Sequence, residues 1–147
     1  MENYKLKPEM IPRTSFFKNL RSILSTKEWD IVRRKVYAQA NYKCEICGGK
    51  GNRHPVECHE LWSYDYKTQI QKFTGLIALC PACHEVVHIG LAQVRGRYKN
   101  AHNHLMKVNG IGSYEATEIV DNAFEEWQGR SMFKWELDIS ELDNWKS

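Results

Sequence analysis

Two C-x-x-C pairs constrain this chain more than any other feature of its sequence. Cys44 and Cys47 form the first pair, which two glycines follow, and Cys80 and Cys83 form the second. Zinc prefers four ligands in a tetrahedron, and a C-x-x-C turn lets two thiolates bind one ion from the same side. The 32 residues between the pairs leave room for a strand and a working loop. The spacing therefore predicts a structural Zn²⁺ site that joins two separate segments.

The rest of the composition is typical of a folded protein. The chain has 147 residues, of which 42% are hydrophobic and 27% charged, which suits one domain with a modest core. It contains no apolar run long enough to cross a bilayer and no apolar segment of a secretory signal. We therefore expect a cytoplasmic protein with no membrane partner, whose reduced thiols are metal ligands rather than disulfides.

Charge is distributed unevenly along the chain. Residues 1–100 hold 17 Lys and Arg against 9 Asp and Glu, whereas residues 101–147 hold 4 against 9. A basic region that contains the cysteines favours nucleic acid as the partner, although an unevenly charged solvated surface explains the pattern equally well. The acidic C-terminal third is suited either to cover the basic region or to mediate self-association, and the sequence does not decide between them.

We divide a single domain, residues 1–147, into three segments. Residues 14–41 are predicted to form N-terminal helices, and the longer one, at 26–41, starts with a capping box of Ser25 and Glu28. Residues 42–92 contain both cysteine pairs, and their pattern predicts two strands and then a helix. Residues 93–147 are predicted to form a basic segment, an amphipathic helix and a C-terminal strand.

The expected elements of the last two segments have approximate boundaries. The strands of the middle segment are placed at 55–61 and 76–79, and its helix runs from about residue 82 to about residue 93 because Pro81 favours a helix start. In the last segment, Ser113 is the candidate N-cap of the helix and Gly129 its end. Alternating apolar and charged residues at 133–139 predict a half-buried strand.

A second cluster of metal-ligating residues lies between and just after the cysteine pairs. His84 and His88 are four residues apart on the predicted helix, so they share one face and form a natural half-site for a metal. The sequence Glu-Cys-His-Glu at 57–60 places further ligands on the preceding strand. One ligand from that strand would complete a second site with open coordination positions, which hydrolytic chemistry requires.

These residues together resemble the HNH, or His-Me finger, nucleases. The matching stretches are CEIC at 44–47, ECHEL at 57–61, GLIALC at 75–80 and CPACHEVVH at 80–88, so the resemblance covers residues 42–92. It implies an α+β fold with a zinc-stabilised ββα-metal, treble-clef-like core, which N- and C-terminal helices flank. It also implies a metal-dependent endonuclease that hydrolyses DNA phosphodiester bonds.

The resemblance also assigns roles to individual residues. His59 corresponds to the general base that activates water, and Cys58, His84 and His88 correspond to ligands of a catalytic divalent ion. Mn²⁺, Ni²⁺, Zn²⁺ and Mg²⁺ are the candidate ions. In an alternative register His59 is a ligand and Glu60 is the base, and only one register can hold because side chains alternate along a strand.

The sequence departs from the family pattern at two positions, and it offers a candidate nucleic-acid surface. Cys58 stands where the family usually has Asp or His, and the residue that matches the family's middle Asn is a glycine, Gly75. Five basic residues are candidates for phosphate contacts: Arg33, Arg34, Arg95, Arg97 and Lys99. The alternative function is a catalytically silent zinc-binding module that binds nucleic acid or a protein partner.

Overall fold

The computed structural model describes residues 3–16 and 18–146, and the chain in these ranges is a mixed α+β protein. Phe17, which falls inside the predicted N-terminal helices, lies outside the described residues. The elements, in chain order, are α1 (Leu20–Ile23), α2 (Thr26–Gln39), β1 (Glu57–Asp65), β2 (Ile70–Leu79), α3 (Pro81–Val87), α4 (Ile89–Val94), α5 (Tyr98–Asn109), α6 (Ser113–Arg130), β3 (Glu136–Asp138) and α7 (Asp143–Lys146), with 3-10 turns at Arg13–Ser15 and Ser140–Leu142.

The three strands form one sheet in the order β1-β2-β3. β1 and β2 make an antiparallel hairpin, and β3 adds to β2 in parallel. The hairpin turn is stabilised by Asp65, whose carboxylate accepts hydrogen bonds from the backbone N–H groups of Lys67 and Thr68. Because β2 is central, β1 keeps one long edge that no strand of the described chain covers. This free edge becomes the floor of the groove described below.

Each face of the sheet has its own core. The α1–α2 pair packs on one face, where Leu20, Val32, Val36 and Phe73 are almost fully buried. The helices α3 to α6 and the N-terminal arm form the second core, which also encloses three of the four paired cysteines. Burial of large apolar side chains on both faces stabilises the sheet and fixes which face each β1 side chain occupies.

The helix α2 confirms the predicted capping box. The hydroxyl of Ser25 accepts a hydrogen bond from the backbone N–H of Glu28, and the Glu28 carboxylate accepts one from the backbone N–H of Ser25. The helix ends at Gln39, two residues before the predicted end, because Asn41 and Tyr42 adopt positive φ angles of 55° and 59°. The first pair of cysteines follows directly.

The strand boundaries were only partly predicted. β1 and β2 are longer than the predicted 55–61 and 76–79, because the hairpin continues to the turn at residues 66–69. The predicted strand at 133–139 is reduced to Glu136–Asp138, the only residues of that segment that pair with β2. The basic segment after residue 93, which was not assigned an element, contains the helix α5.

The single helix predicted from about 82 to 93 is wrong, because the chain breaks at His88. This residue has φ −101° and ψ 52°, outside helical values, and separates α3 from α4. Just beyond the break, Gly90 lets the N-terminal arm approach closely, since a Cβ there would lie 3.2 Å from the sulfur of Met10. In the described ranges, no helix is both long and apolar enough to cross a membrane.

Candidate metal centres and the adjoining groove

The first cysteine pair lies on a tight turn between α2 and β1. Gly48 has φ +77°, a left-handed conformation that glycine adopts without strain, and it lets the chain fold back behind Cys47. The backbone N–H groups of Cys47 and Gly49 point at the sulfurs of Cys44 and Cys47, at 3.5 and 3.4 Å. Such donors stabilise thiolates, the form in which cysteine binds metals.

The second pair lies at the junction of β2 and α3. Cys80 is the N-cap of α3, and its sulfur accepts a hydrogen bond from the backbone N–H of Cys83 at 3.4 Å. Glu45 ties the first pair to this junction: its backbone N–H donates to the carbonyl of Ala78, and its carboxylate accepts from the Ala78 N–H. The two pairs are therefore held together by backbone interactions as well as by their sulfurs.

The four sulfurs form a cluster whose atoms all lie within 4.8 Å of one another and could hold a metal ion. Cys44, Cys80 and Cys83 are buried, whereas Cys47 is exposed. The Cys83 thiol donates to Cys44 and lowers the pKa of Cys44 to about 4, while burial raises the pKa of Cys80 to about 11. Four closely spaced sulfurs on two C-x-x-C turns are the donor set of a closed tetrahedral zinc site.

The histidines His59, His84 and His88 form a second cluster on the α3 side of the sheet. Their ligand atoms also lie within 4.8 Å of one another. The ring centroid of His59 lies 5.2 Å from the centroids of His84 and His88, and those two centroids are 4.8 Å apart. His88 follows the last residue of α3 and lies four positions after His84. The structure thus brings together the three histidines that the sequence analysis singled out.

Burial keeps two of these imidazoles neutral. His59 is only 6% exposed, and desolvation lowers its pKa to about 3. Desolvation, together with the nearby His84, lowers the pKa of His88 to about 4. Near pH 7 both rings are therefore uncharged and carry the free lone pair that a metal ligand needs.

Glu57 orients the cluster from the same face of β1. One of its carboxylate oxygens lies 2.8 Å from Nδ1 of His84, and the other lies 2.8 Å from Nε2 of His54. These contacts lower the pKa of Glu57 to about 2, so it is ionised. A carboxylate on Nδ1 fixes the tautomer of His84 and leaves Nε2 as its ligand atom. Sequence analysis did not assign this role to Glu57.

Cys58 and Glu60 lie on the opposite face of β1, because consecutive side chains alternate along a strand. The structure does not bring Cys58 to the histidine cluster: its thiol is buried in the core against α2, and burial raises its pKa to about 12. The Glu60 carboxylate is also buried, which raises its pKa, and it accepts a hydrogen bond from the Leu20 N–H at 3.4 Å. His59 and Glu60 both line a smaller cavity of about 230 Å³.

A groove of about 870 Å³ opens beside the histidine cluster. Its floor contains Val56, Glu57 and Cys58, which are consecutive on β1, so the groove runs along the free edge of that strand. Residues of α1 and α2 form one wall, and residues of α3 and α4, including His84 and His88, form the other. The histidine cluster is therefore reached from solvent through this groove.

Two of the five basic residues proposed for phosphate contacts line the groove. Arg33 and Arg95 line the groove, whereas Arg34, Arg97 and Lys99 do not. The guanidinium of Arg97 is paired with the carboxylate of Glu85 through two contacts, at 2.6 and 3.2 Å. Three groups near the site had no signal in the spacing of motifs: Arg21 on the groove wall, His54 beside Glu57, and His104, whose Nε2 lies 3.2 Å from the sulfur of Cys83.

Comparison with known proteins adds no relative. No protein-family model, no curated protein and no solved structure matches this chain. The two clusters and the groove are therefore the basis on which we infer a function.

Proposed function

We propose that this protein is an HNH-type endonuclease that hydrolyses DNA phosphodiester bonds with a divalent ion held by His59, His84 and His88. The observation that carries the proposal is the convergence of these three imidazoles beside a four-cysteine cluster, at the side of an open groove. Three nitrogen ligands leave coordination positions for substrate, as hydrolytic metal sites require. We also propose that the protein is cytoplasmic, because its thiols would stay reduced there and could bind structural zinc.

The residues fit such an ion by their chemistry. Neutral imidazoles suit Mn²⁺, Ni²⁺ and Zn²⁺ better than Mg²⁺, which prefers oxygen ligands. When bound, a divalent ion at this position supplies electrostatic stabilisation to the charge that develops on the phosphate. The protein contributes the alignment, since the Glu57 carboxylate contacts Nδ1 of His84.

The clustering of the three imidazoles favours the register in which His59 is a ligand, and in that register Glu60 is the candidate general base although its side chain lies on the opposite face of β1. His59 shares its side of the sheet with the other two histidines, which suits a ligand. Glu60 is the next residue along β1, and the cavity that it shares with His59 is large enough for water. Burial raises the pKa of Glu60, and a raised carboxylate pKa brings a base nearer to the operating pH.

A plasmid cleavage assay with Mg²⁺, Mn²⁺, Ni²⁺ or Zn²⁺ tests the proposal. We expect faster cleavage with Mn²⁺ or Ni²⁺ than with Mg²⁺ at equal concentration, and loss of nearly all cleavage in His88→Ala. The matched control is His102→Ala, because His102 contacts Thr117 and belongs to neither cluster. This variant should cleave at the wild-type rate. Zinc-loaded, folded protein that cleaves with none of these ions would instead support the silent zinc-binding module.

A further inference from the structure

The carboxylates that line the groove all have partners in the protein. Asp30 is paired with Arg33 at 2.8 Å, and Glu85 is paired with Arg97 at 2.6 Å. Glu57, the third carboxylate, lies between His54 and His84. Each carboxylate of the groove therefore contacts another group of the protein. The remaining arginines of the groove are available to a ligand.

Two arginines of the groove have no such match. Within the described ranges, no carboxylate lies within 4.0 Å of the guanidinium of Arg21 or of Arg95. The Arg21 guanidinium lies over the ring of Trp29, at 5.3 Å from the ring centroid, which positions it without neutralising its charge. Arg95, at the C-cap of α4, is exposed.

The two arginines stand on opposite walls. Arg21 belongs to α1, on the α1–α2 wall, whereas Arg95 follows α4, on the wall that carries His84 and His88. A guanidinium presents a planar set of donors that matches phosphate oxygens and stays charged at every working pH. Two guanidinium groups on opposite walls of one groove, neither of them in an ion pair with a described residue, are suited to separate phosphates of one polyanionic strand.

We propose that Arg21 and Arg95 bind DNA backbone phosphates that flank the phosphate at the histidine cluster. This inference rests on the proposed function, since it takes the reacting strand of DNA as the occupant of the groove. It adds Arg21, which no motif indicated, and it excludes Arg34, Arg97 and Lys99 from the contacts nearest the reaction. The two arginines position the strand and carry no base specificity.

The test is binding of a fluorescein-labelled DNA duplex, measured by anisotropy across a salt series. The protein retains its structural zinc and receives no second ion, so binding is separated from cleavage. Arg21→Gln and Arg95→Gln should each weaken binding about tenfold or more, because each removes a charge-assisted phosphate contact. Each should also reduce the slope of log affinity against log salt by about 1.

The controls are Lys67→Gln and Lys134→Gln, each of which removes one exposed positive charge from a residue that does not line the groove. They should change affinity by less than about twofold because salt screens distant charges. Equal weakening in groove and control variants would overturn the proposal, and so would cleavage that Arg21→Gln and Arg95→Gln leave unchanged. The arginine substitutions could weaken DNA binding although the wild-type protein cleaves DNA with none of the ions. That result would contradict the nuclease function and support the phosphate contacts.

Discussion

The two clusters of metal-ligating residues differ in how far they are closed to solvent. In the cysteine cluster three of the four residues are buried, and backbone N–H groups point at the sulfurs. In the histidine cluster His59 is buried, but His84 and His88 reach the wall of an open groove. Four thiolates would complete the coordination of zinc, whereas three imidazoles would leave positions open. This difference is why we propose a structural ion at the cysteine cluster and a catalytic ion at the histidine cluster.

Both clusters meet at α3. Cys80 and Cys83 lie at its start, His84 follows immediately, and His88 lies just beyond its last residue. A metal in the cysteine cluster would therefore fix the N-terminus of α3 and, with it, the position of His84. We therefore expect substitution of a clustered cysteine to abolish both sites. Substitution of a clustered histidine should leave the fold intact.

The largest expected effect is that of Cys80→Ser, which should not yield folded protein. Binding of structural zinc contributes about 10–16 kcal/mol in zinc-finger peptides, as much as the whole stability of a typical domain. Circular dichroism and zinc analysis of purified protein check this outcome. A Cys80→Ser variant that stays folded without zinc would show that the cysteine cluster does not stabilise α3.

The next largest effect is on the cleavage rate and tests which residue is the general base. Glu60→Gln should reduce cleavage by about 10²–10⁴-fold and leave binding of the second ion unchanged. His59→Ala should also lose cleavage, but added Mn²⁺ should restore part of it because the defect lies in ion affinity. The measurement is cleavage rate against Mn²⁺ concentration for both variants. If His59→Ala stays inactive at saturating Mn²⁺ and Glu60→Gln stays active, His59 is the base.

A smaller effect is expected from Glu57→Gln, which keeps the shape of the side chain and removes its charge. Loss of the carboxylate partner of a ligating histidine typically costs 10–100-fold in metal affinity. Mn²⁺ titration should show this weakening while the structural zinc content stays at wild-type level. Glu118→Gln, which alters an exposed carboxylate on α6, is the control and should keep wild-type Mn²⁺ affinity.

The smallest effect is that of Cys58→Ala, which separates the two faces of β1. Because Cys58 is buried in the core against α2 with a raised pKa, its removal should cost about 1 kcal/mol of stability through lost packing. Mn²⁺ affinity should not change. Chemical denaturation and Mn²⁺ titration measure the two quantities, and a large fall in Mn²⁺ affinity would return Cys58 to the ligand set.

Sequence predicted the features that depend on local spacing. The cysteine pairs, the capping box of α2 and the histidine pair of α3 each involve residues a few positions apart, and the structure contains all of them. Cys58 was expected at the histidine cluster, but its side chain lies on the other face of β1. A one-residue change of register exchanges the faces of a strand, and only packing against α2 and α3 decides which face is which.

Features that depend on tertiary packing left no local signal. The break at His88 accompanies the approach of Met10 to Gly90, which comes from the far end of the chain. The groove combines walls from α1–α2 and α3–α4 that are more than 40 residues apart in sequence. Glu57 could be recognised as the partner of His84 only once β1 was placed beside α3.

The most direct test of the account is the number of Mn²⁺ ions bound by zinc-loaded protein, measured by equilibrium dialysis. Wild type should bind one exchangeable Mn²⁺, and His59→Ala, His84→Ala and His88→Ala should each weaken that binding while keeping the structural zinc. His102→Ala should bind as wild type does. If His59→Ala binds Mn²⁺ with wild-type affinity, or if wild type binds none, the three histidines do not form the metal site on which the account depends.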